Sequence, residues 1–349
     1  MMIRPLPLLA ILVSSLTVSA AAAEPVTVGP LLEHRGLCEA SGAAPYPRGS
    51  FGDRFLVVDD ESTVLRLYRA GASGEALPLG GADLAGHLGL GEKDGKADLE
   101  SVTWLGSDLY VLGSHSRRHG GKQSPGRGRL AAVTATDGAG MPALAPTGAA
   151  IRALPQALAA LSPLLAARIG LDVPARDDLD PKRKGFNIEG MAPRPDEKSL
   201  WLGLRNPLDT DANALLVPLE NPAEAIAGAA PRLGTPVALD LKGRGIRDIA
   251  YAPQAKAYLV LAGGAGGGGE PFDLYRWSGA PGDRPVRVEG AAAAFAAIPD
   301  FQPEGLLVSP AGDRVQVLSD DGEALGSDGK PCEESKDGKR FRSLMLELR

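Results

Sequence analysis

Short runs of Val, Leu, Ile, Tyr and Phe, each ended by Gly, Pro, Asp or Asn, recur along most of the chain. That is the pattern of strands joined by tight turns. Five times a short acidic motif opens a set of such runs: Cys38-Glu39-Ala40-Ser41, Leu99-Glu100-Ser101-Val102, Ile188-Glu189-Gly190-Met191, Arg247-Asp248-Ile249-Ala250 and Pro303-Glu304-Gly305-Leu306. A second run follows each at 55–58, 109–112, 200–203, 258–261 and 315–318, and a third at 64–68, 130–133, 214–217, 272–277 and 341–345. A fourth, near 76–79, 148–152, 236–241 and 285–288, completes four of the sets. The fifth set has no room for one before Arg349, but Val26-Thr27-Val28 through Leu31-Leu32 is a spare strand at the other end of the chain. Four-stranded repeats that close in this way predict an all-β fold, a five-bladed β-propeller sealed by its N-terminal strand, which leaves few open sheet edges.

One interval between acids is long. Within it Leu154, Leu158, Leu161, Leu165 and Ile169 recur at near-helical spacing, with Pro155 and Pro163 placed to split the helix. A helical insertion of about residues 152–185 between blades two and three is expected, with a disguised sixth blade as the alternative. Upstream of the blades, the apolar stretch from Leu6 to Val18 is too short for a usual membrane span and leads into the small residues 19–23. Residues 1–23 are read as a signal peptide and 24–349 as a single propeller domain, periplasmic or secreted. In an oxidising compartment the only two cysteines, Cys38 and Cys332, can pair and tie the ends of the ring together. Two free buried thiols are the alternative.

Composition narrows the partners. A formal net charge of -6 provides no general basic field, so nucleic acid is not an expected partner, and neither is stable insertion in a membrane; a monomer is expected. The glycine run 263–269 lacks the Lys-Ser or Lys-Thr of a phosphate-binding loop, and no Gly-x-Ser-x-Gly elbow occurs.

In a propeller the first strand of each blade lines the channel, and the second runs back so that its end lies near the start of the first. One mouth should therefore collect Glu39, Glu100, Glu189, Asp248 and Glu304 from the strand openings. Asp59, Asp60, His115, Arg117, Arg118, Arg205, Asn206 and Asp320, which follow the second strands, should join them, with Arg247 nearby. Crowded carboxylates either take up protons or hold a cation, and an all-oxygen set suits Ca²⁺ or another divalent cation better than zinc. The alternative is that these acids cap amides of neighbouring blades or pair with Arg247. Arg117, Arg118 and Arg205 could grip an anionic, possibly phosphorylated, small molecule, with His115 as general acid or base. Asp59, Asp60, Asn206, Arg247 and Asp320 would complete the ligand-binding surface. The expected function is metal-dependent hydrolysis of phosphoesters or related anions; a non-catalytic binding or scaffold propeller with a structural cation is the alternative.

Several segments together resemble the hallmarks of a bacterial domain-of-unknown-function family, numbered thirty-six-sixteen: Val57-Val58-Asp59-Asp60-Glu61, Gly113-Ser114-His115-Ser116-Arg117, Phe186-Asn187-Ile188-Glu189-Gly190, Leu204-Arg205-Asn206-Pro207 and Leu318-Ser319-Asp320-Asp321-Gly322. Cys38-Glu39-Ala40-Ser41-Gly42 and Gly245-Ile246-Arg247-Asp248-Ile249-Ala250 extend the resemblance over nearly the whole chain after residue 23. It implies no activity. In plan the chain is more distantly similar to five-bladed calcium-activated nucleotidases and to phytase-like and lactonase-like propellers. The nucleotidases hold Ca²⁺ at the channel centre with one set of side chains per blade, and that likeness implies Glu39, Glu100, Glu189, Asp248 and Glu304 as the matching set.

Overall fold

The computed structural model describes residues 26–138, 141–266, 270–326, 328–335 and 338–348, so the expected signal peptide lies outside the described residues, as do residues 267–269 of the glycine run. Strand β1 (Thr27–Arg35) leads into blade one, formed by β2 (Ala40–Tyr46), β3 (Arg54–Asp59) and β4 (Arg66–Arg69). Blade two contains β5 (Leu99–Leu105), β6 (Asp108–Gly113), β7 (Leu130–Gly138) and β8 (Met141–Ile151). Blade three contains β9 (Asn187–Pro193), β10 (Leu200–Asn206), β11 (Ala214–Leu219) and β12 (Val237–Leu239). Blade four contains β13 (Arg244–Ala252), β14 (Ala257–Gly264), β15 (Asp273–Trp277) and β16 (Val286–Arg287). In blade five, β17 (Pro303–Val308), β18 (Arg314–Ser319) and β19 (Arg340–Glu347) are completed by β1, which pairs antiparallel with β19.

The ring closes as expected, into a five-bladed β-propeller. The first strands pack side by side in a circle, β2 on β5, β5 on β9, β9 on β13, β13 on β17 and β17 back on β2. Apolar side chains from facing blades form one buried cluster in each of the five gaps. At the closing gap, for example, Phe55, Val57 and Tyr68 of blade one meet Leu307, Leu318 and Phe341 of blade five. Blade one has three strands; where its fourth was expected, Leu77 makes a lone bridge to Leu67 and Pro78 follows without an N–H to continue the ladder.

The long interval holds two helices, Leu154–Leu161 and Pro163–Ile169. Each has a proline in its first turn, and Ser162 between them caps the second by accepting from the Leu165 amide. Leu154, Leu158, Leu165 and Ile169 are buried against blades two and three, so the leucine spacing reflects docking onto the propeller. The described residues form five sheets, with no sixth blade among them.

Candidate functional site

In every blade the pairing of first and second strands slips by one residue near the start of the first strand. The residue left out of the ladder at each bulge is Ser41, Glu100, Glu189, Arg247 or Glu304. A bulge re-aims its extra side chain, and all five line one cavity of about 770 Å³ at the end of the channel where the first strands begin. The acids matched by sequence are therefore not all equivalent. The hydrogen-bond register puts Ser41, not Glu39, at the blade-one position and Arg247, not Asp248, at the blade-four position.

A shift of one residue in a strand exchanges its faces. Asp248 consequently turns away from the ring: its carboxylate accepts the amides of Ile249 (2.8 Å) and of Leu306 in the next blade (2.7 Å). Glu39, two residues before Ser41, stays on the mouth face in a higher tier. Asp98, Asn187 and Gln302 stand two residues before Glu100, Glu189 and Glu304, and all line the same cavity. Reading two residues back from the ring positions of blades one, two, three and five would have found this tier.

The ring carboxylates of Glu100, Glu189 and Glu304 offer oxygens that all lie within 4.8 Å of one another, and the three residues are 8%, 2% and 6% exposed. Two of them have cationic partners. Arg247 Nη1 lies 3.1 Å from Glu189 Oε2 and its Nη2 meets Glu304 Oε1; Arg205 Nη1 donates to Glu189 Oε1 at 2.9 Å, as does Asn187 Nδ2 at 2.7 Å. Glu304 Oε2 is buried without a hydrogen bond among the described residues. Glu100 has neither a hydrogen bond to its carboxylate nor an ion pair among the described residues. Burial pushes its carboxyl well above the usual range, and repulsion from Glu189, Asp98 and Glu304 pushes it further. Glu304 is raised as well, by burial, which outweighs the opposing pull of Arg247. Burial alone would lower Arg247, but Glu189 and Glu304 reverse this and raise it.

Higher in the mouth, Glu39, Asp60 and Glu61 form a second close group. Glu61 pairs with Lys96, while Asp60 Oδ1 is buried without a hydrogen-bond partner among the described residues. Glu39 is pushed up to about 8, first by burial and then by Asp320, Glu61 and Glu333. Asp98 is paired with Arg127 at 2.9 Å. Glu39, Asp60, Glu100 and Asp320 have no ion pair among the described residues, so the mouth carries a surplus of carboxylate.

The remaining expected residues lie elsewhere. Asp59 is buried in a pair with Arg66 at 2.8 Å. His115 is buried behind the wall, with Nδ1 against the Gly113 carbonyl at 2.7 Å, and burial lowers it to about 4, leaving the ring neutral at pH 7. Arg117 spends its guanidinium on carbonyls of Gly121, Ile169, Gly170 and Val173, fastening the helical insertion to blade two. Arg118 is exposed. Asn206 donates to Ala265 O (2.8 Å) and Pro181 O, tying the insertion to the neighbouring loop. Cys38 and Cys332 form a disulfide with Cα atoms 5.9 Å apart. It clamps the loop after β18, from which Gly322, Glu323 and Glu333 line the mouth, to the start of blade one.

Among solved structures, the chain is similar to the calcium-binding protein regucalcin of Agrobacterium tumefaciens, at 12% identity and a TM-score of 0.34 over 90% of this chain and 92% of that one. It is also similar to a luciferin-regenerating enzyme (11%, TM-score 0.36, 88% and 77% covered) and to an exo-beta-1,3-galactanase of Phanerochaete chrysosporium (11%, TM-score 0.45, 89% and 61% covered). The chain thus spans less than two thirds of the length of the galactanase. No curated protein matches it in sequence. No helix among the described residues is long and apolar enough to cross a membrane. Residues 152–299, from the insertion through blades three and four and the segment after them, match the family described as Protein of unknown function (DUF3616), the family that the hallmark segments resemble.

Proposed function

We propose that the bulge ring binds one divalent cation, Ca²⁺ or an ion of similar hardness, and that the mouth presents this ion to an anionic small molecule such as a phosphoester. The observation that carries the reading is Glu100, a buried carboxylate with no hydrogen bond and no ion pair among the described residues, within 4.8 Å of Glu189 and Glu304. A buried charge is costly unless paired, and the three carboxylates, in a cavity that Ser41 also lines, form an all-oxygen donor set that fits a hard cation. When bound, such an ion would supply Lewis-acid polarisation and a more acidic water. Arg247 holds Glu189 and Glu304 in place, and Arg205, itself fixed by the carbonyls of Gly264 and Gly266, orients Glu189. With its surplus carboxylate, the mouth repels anions when metal is absent. Anion binding should therefore depend on the cation.

A second reading, a non-catalytic propeller with a structural cation, is favoured by one observation: the arginines lining the mouth, Arg127, Arg205 and Arg247, are each engaged with a carboxylate, so no guanidinium is left for a substrate. The disulfide suits an oxidising compartment and supports an exported protein. Metal analysis of the purified chain, followed by a screen of phosphomonoesters, phosphodiesters, nucleotides and lactones with Ca²⁺ and with chelator, separates the readings. Turnover that disappears in chelator supports hydrolysis. Retained metal without turnover or anion binding favours the structural role, and absence of both metal and Ca²⁺ response defeats the proposal.

A further inference from the structure

The opposite end of the channel holds a second cavity, of about 320 Å³, lined by the far ends of the same first strands. Its character is the reverse of the acidic mouth: Val102, Trp104, Met191, Ile249, Tyr251 and Leu306 supply apolar and aromatic walls. Trp104 Nε1 donates to Pro45 O at 2.7 Å, which fixes the indole by its edge. The hydroxyls of Thr103 and Tyr251 have no hydrogen-bond partner among the described residues.

The rim carries a cation without an anion. The Arg194 guanidinium carbon lies 4.7 Å from the centre of the Trp201 ring, a cation–π contact that restrains the side chain. Among the described residues it has no ion pair and no side-chain hydrogen bond. Asp196, which feels its charge, spends its oxygens on the amides of Lys198 and Ser199 and on the Ser199 hydroxyl. The other rim charges, Arg48 and Glu197, pair with each other at 3.0 Å. Asp248, also in the lining, is buried and accepts two backbone amides.

We infer that this cavity is a binding site for a small apolar carboxylic acid, with its body against Trp104 and Tyr251 and its carboxylate on the Arg194 fork. The volume is at the low end for small-molecule pockets, which limits the occupant to a compact molecule. A guanidinium held over an aromatic ring with its donors unspent has already lost part of the rotamer freedom that binding would otherwise remove, and its planar fork matches a carboxylate. The site is independent of the cation proposed at the other end.

The test is calorimetric titration of the full chain, in chelator, with 1-naphthaleneacetate and with the matched alcohol 2-(1-naphthyl)ethanol. Saturable binding of the acid, with the alcohol about tenfold weaker, is the expected result. Arg194→Gln should reduce the acid to the level of the alcohol without moving the melting temperature, and Arg194→Lys should restore part of the difference. Thr103→Trp, which fills the cavity, should abolish binding of both. If it does not fold, the acid and alcohol comparison on the parent chain still decides. Equal affinity for acid and alcohol, no binding of either, or an acid affinity indifferent to Arg194→Gln overturns the inference. None of these results bears on the Ca²⁺ response of the acidic mouth.

Discussion

Replacing Glu100 by Gln removes one negative charge from the ring and keeps the shape, so it should act in opposite directions with and without metal. Without metal, and at a pH where the folded Glu100 is ionised, it faces Glu189 and Glu304 with oxygens no more than 4.8 Å apart. At an effective dielectric of about 20, like charges at that separation repel by about 3.5 kcal/mol. Arg205 and Arg247 offset part of this, as does water in the open cavity, leaving relief on the order of 2 kcal/mol. Unfolding entropy of about 2.1 cal/mol/K per residue amounts to about 0.7 kcal/mol/K for a chain of 349 residues. Glu100→Gln should therefore melt about 3 °C higher than the parent in chelator. With Ca²⁺ at about 100 times its dissociation constant, the parent should gain about 2.7 kcal/mol, or about 4 °C, and the variant much less.

The pH dependence follows from the same group. Because the Glu100 carboxyl is raised in the folded state, by burial first and then by Glu189, Asp98 and Glu304, the native protein holds a proton that the unfolded chain has released. In chelator its contribution to stability is greatest below the ordinary glutamate value of 4.5, and it falls as pH rises above that value until the folded group ionises. Glu100→Gln should flatten this decline. Scanning calorimetry from pH 4 to pH 8, in chelator and in Ca²⁺, measures both effects. A variant that melts lower than the parent in chelator and keeps the full Ca²⁺ shift would refute the reasoning.

Three further outcomes are expected. Reducing the Cys38–Cys332 bond, or Cys332→Ser, should cost about 2–4 kcal/mol in denaturant unfolding, because the bond closes most of the chain into one loop; an unchanged midpoint would show that β1 seals the ring without it. Arg247→Gln leaves Glu189 and Glu304 buried without their shared counter-ion and should cost about 3–5 kcal/mol in chelator, with Ca²⁺ recovering part of the loss; equal loss with and without Ca²⁺ would count against a cation in this ring. Arg117→Ala should make the segment after Leu154 sensitive to limited proteolysis while the Ca²⁺ shift persists, because its guanidinium bonds carbonyls of the insertion and does not line the mouth. Loss of that shift would show that the insertion shapes the site.

The strands, the blade count and the closure by β1 were legible in the chain, because each depends on local runs of apolar residues between turn formers and on a count of those runs. The leucine spacing of residues 154–169 likewise identified helices, since an amphipathic period is a local property. The ring membership was not legible. Glu100, Glu189 and Glu304 follow from the repeated acid-and-small-residue motif, but Ser41 and Arg247 depend on where each strand pair slips, and a one-residue bulge reverses which side chain faces the axis. Asp248 is adjacent to Arg247 in the chain, yet its carboxylate reaches an amide of the next blade. Likewise the cations of the 113–122 loop suggested an open anion grip, whereas Arg117 is buried in carbonyls more than fifty residues away in sequence and His115 is sealed behind the channel wall. Local pattern sets which residues form strands. Which of them share a cavity depends on inter-strand register and on distant segments packing over them, and these exist only once the ring has closed.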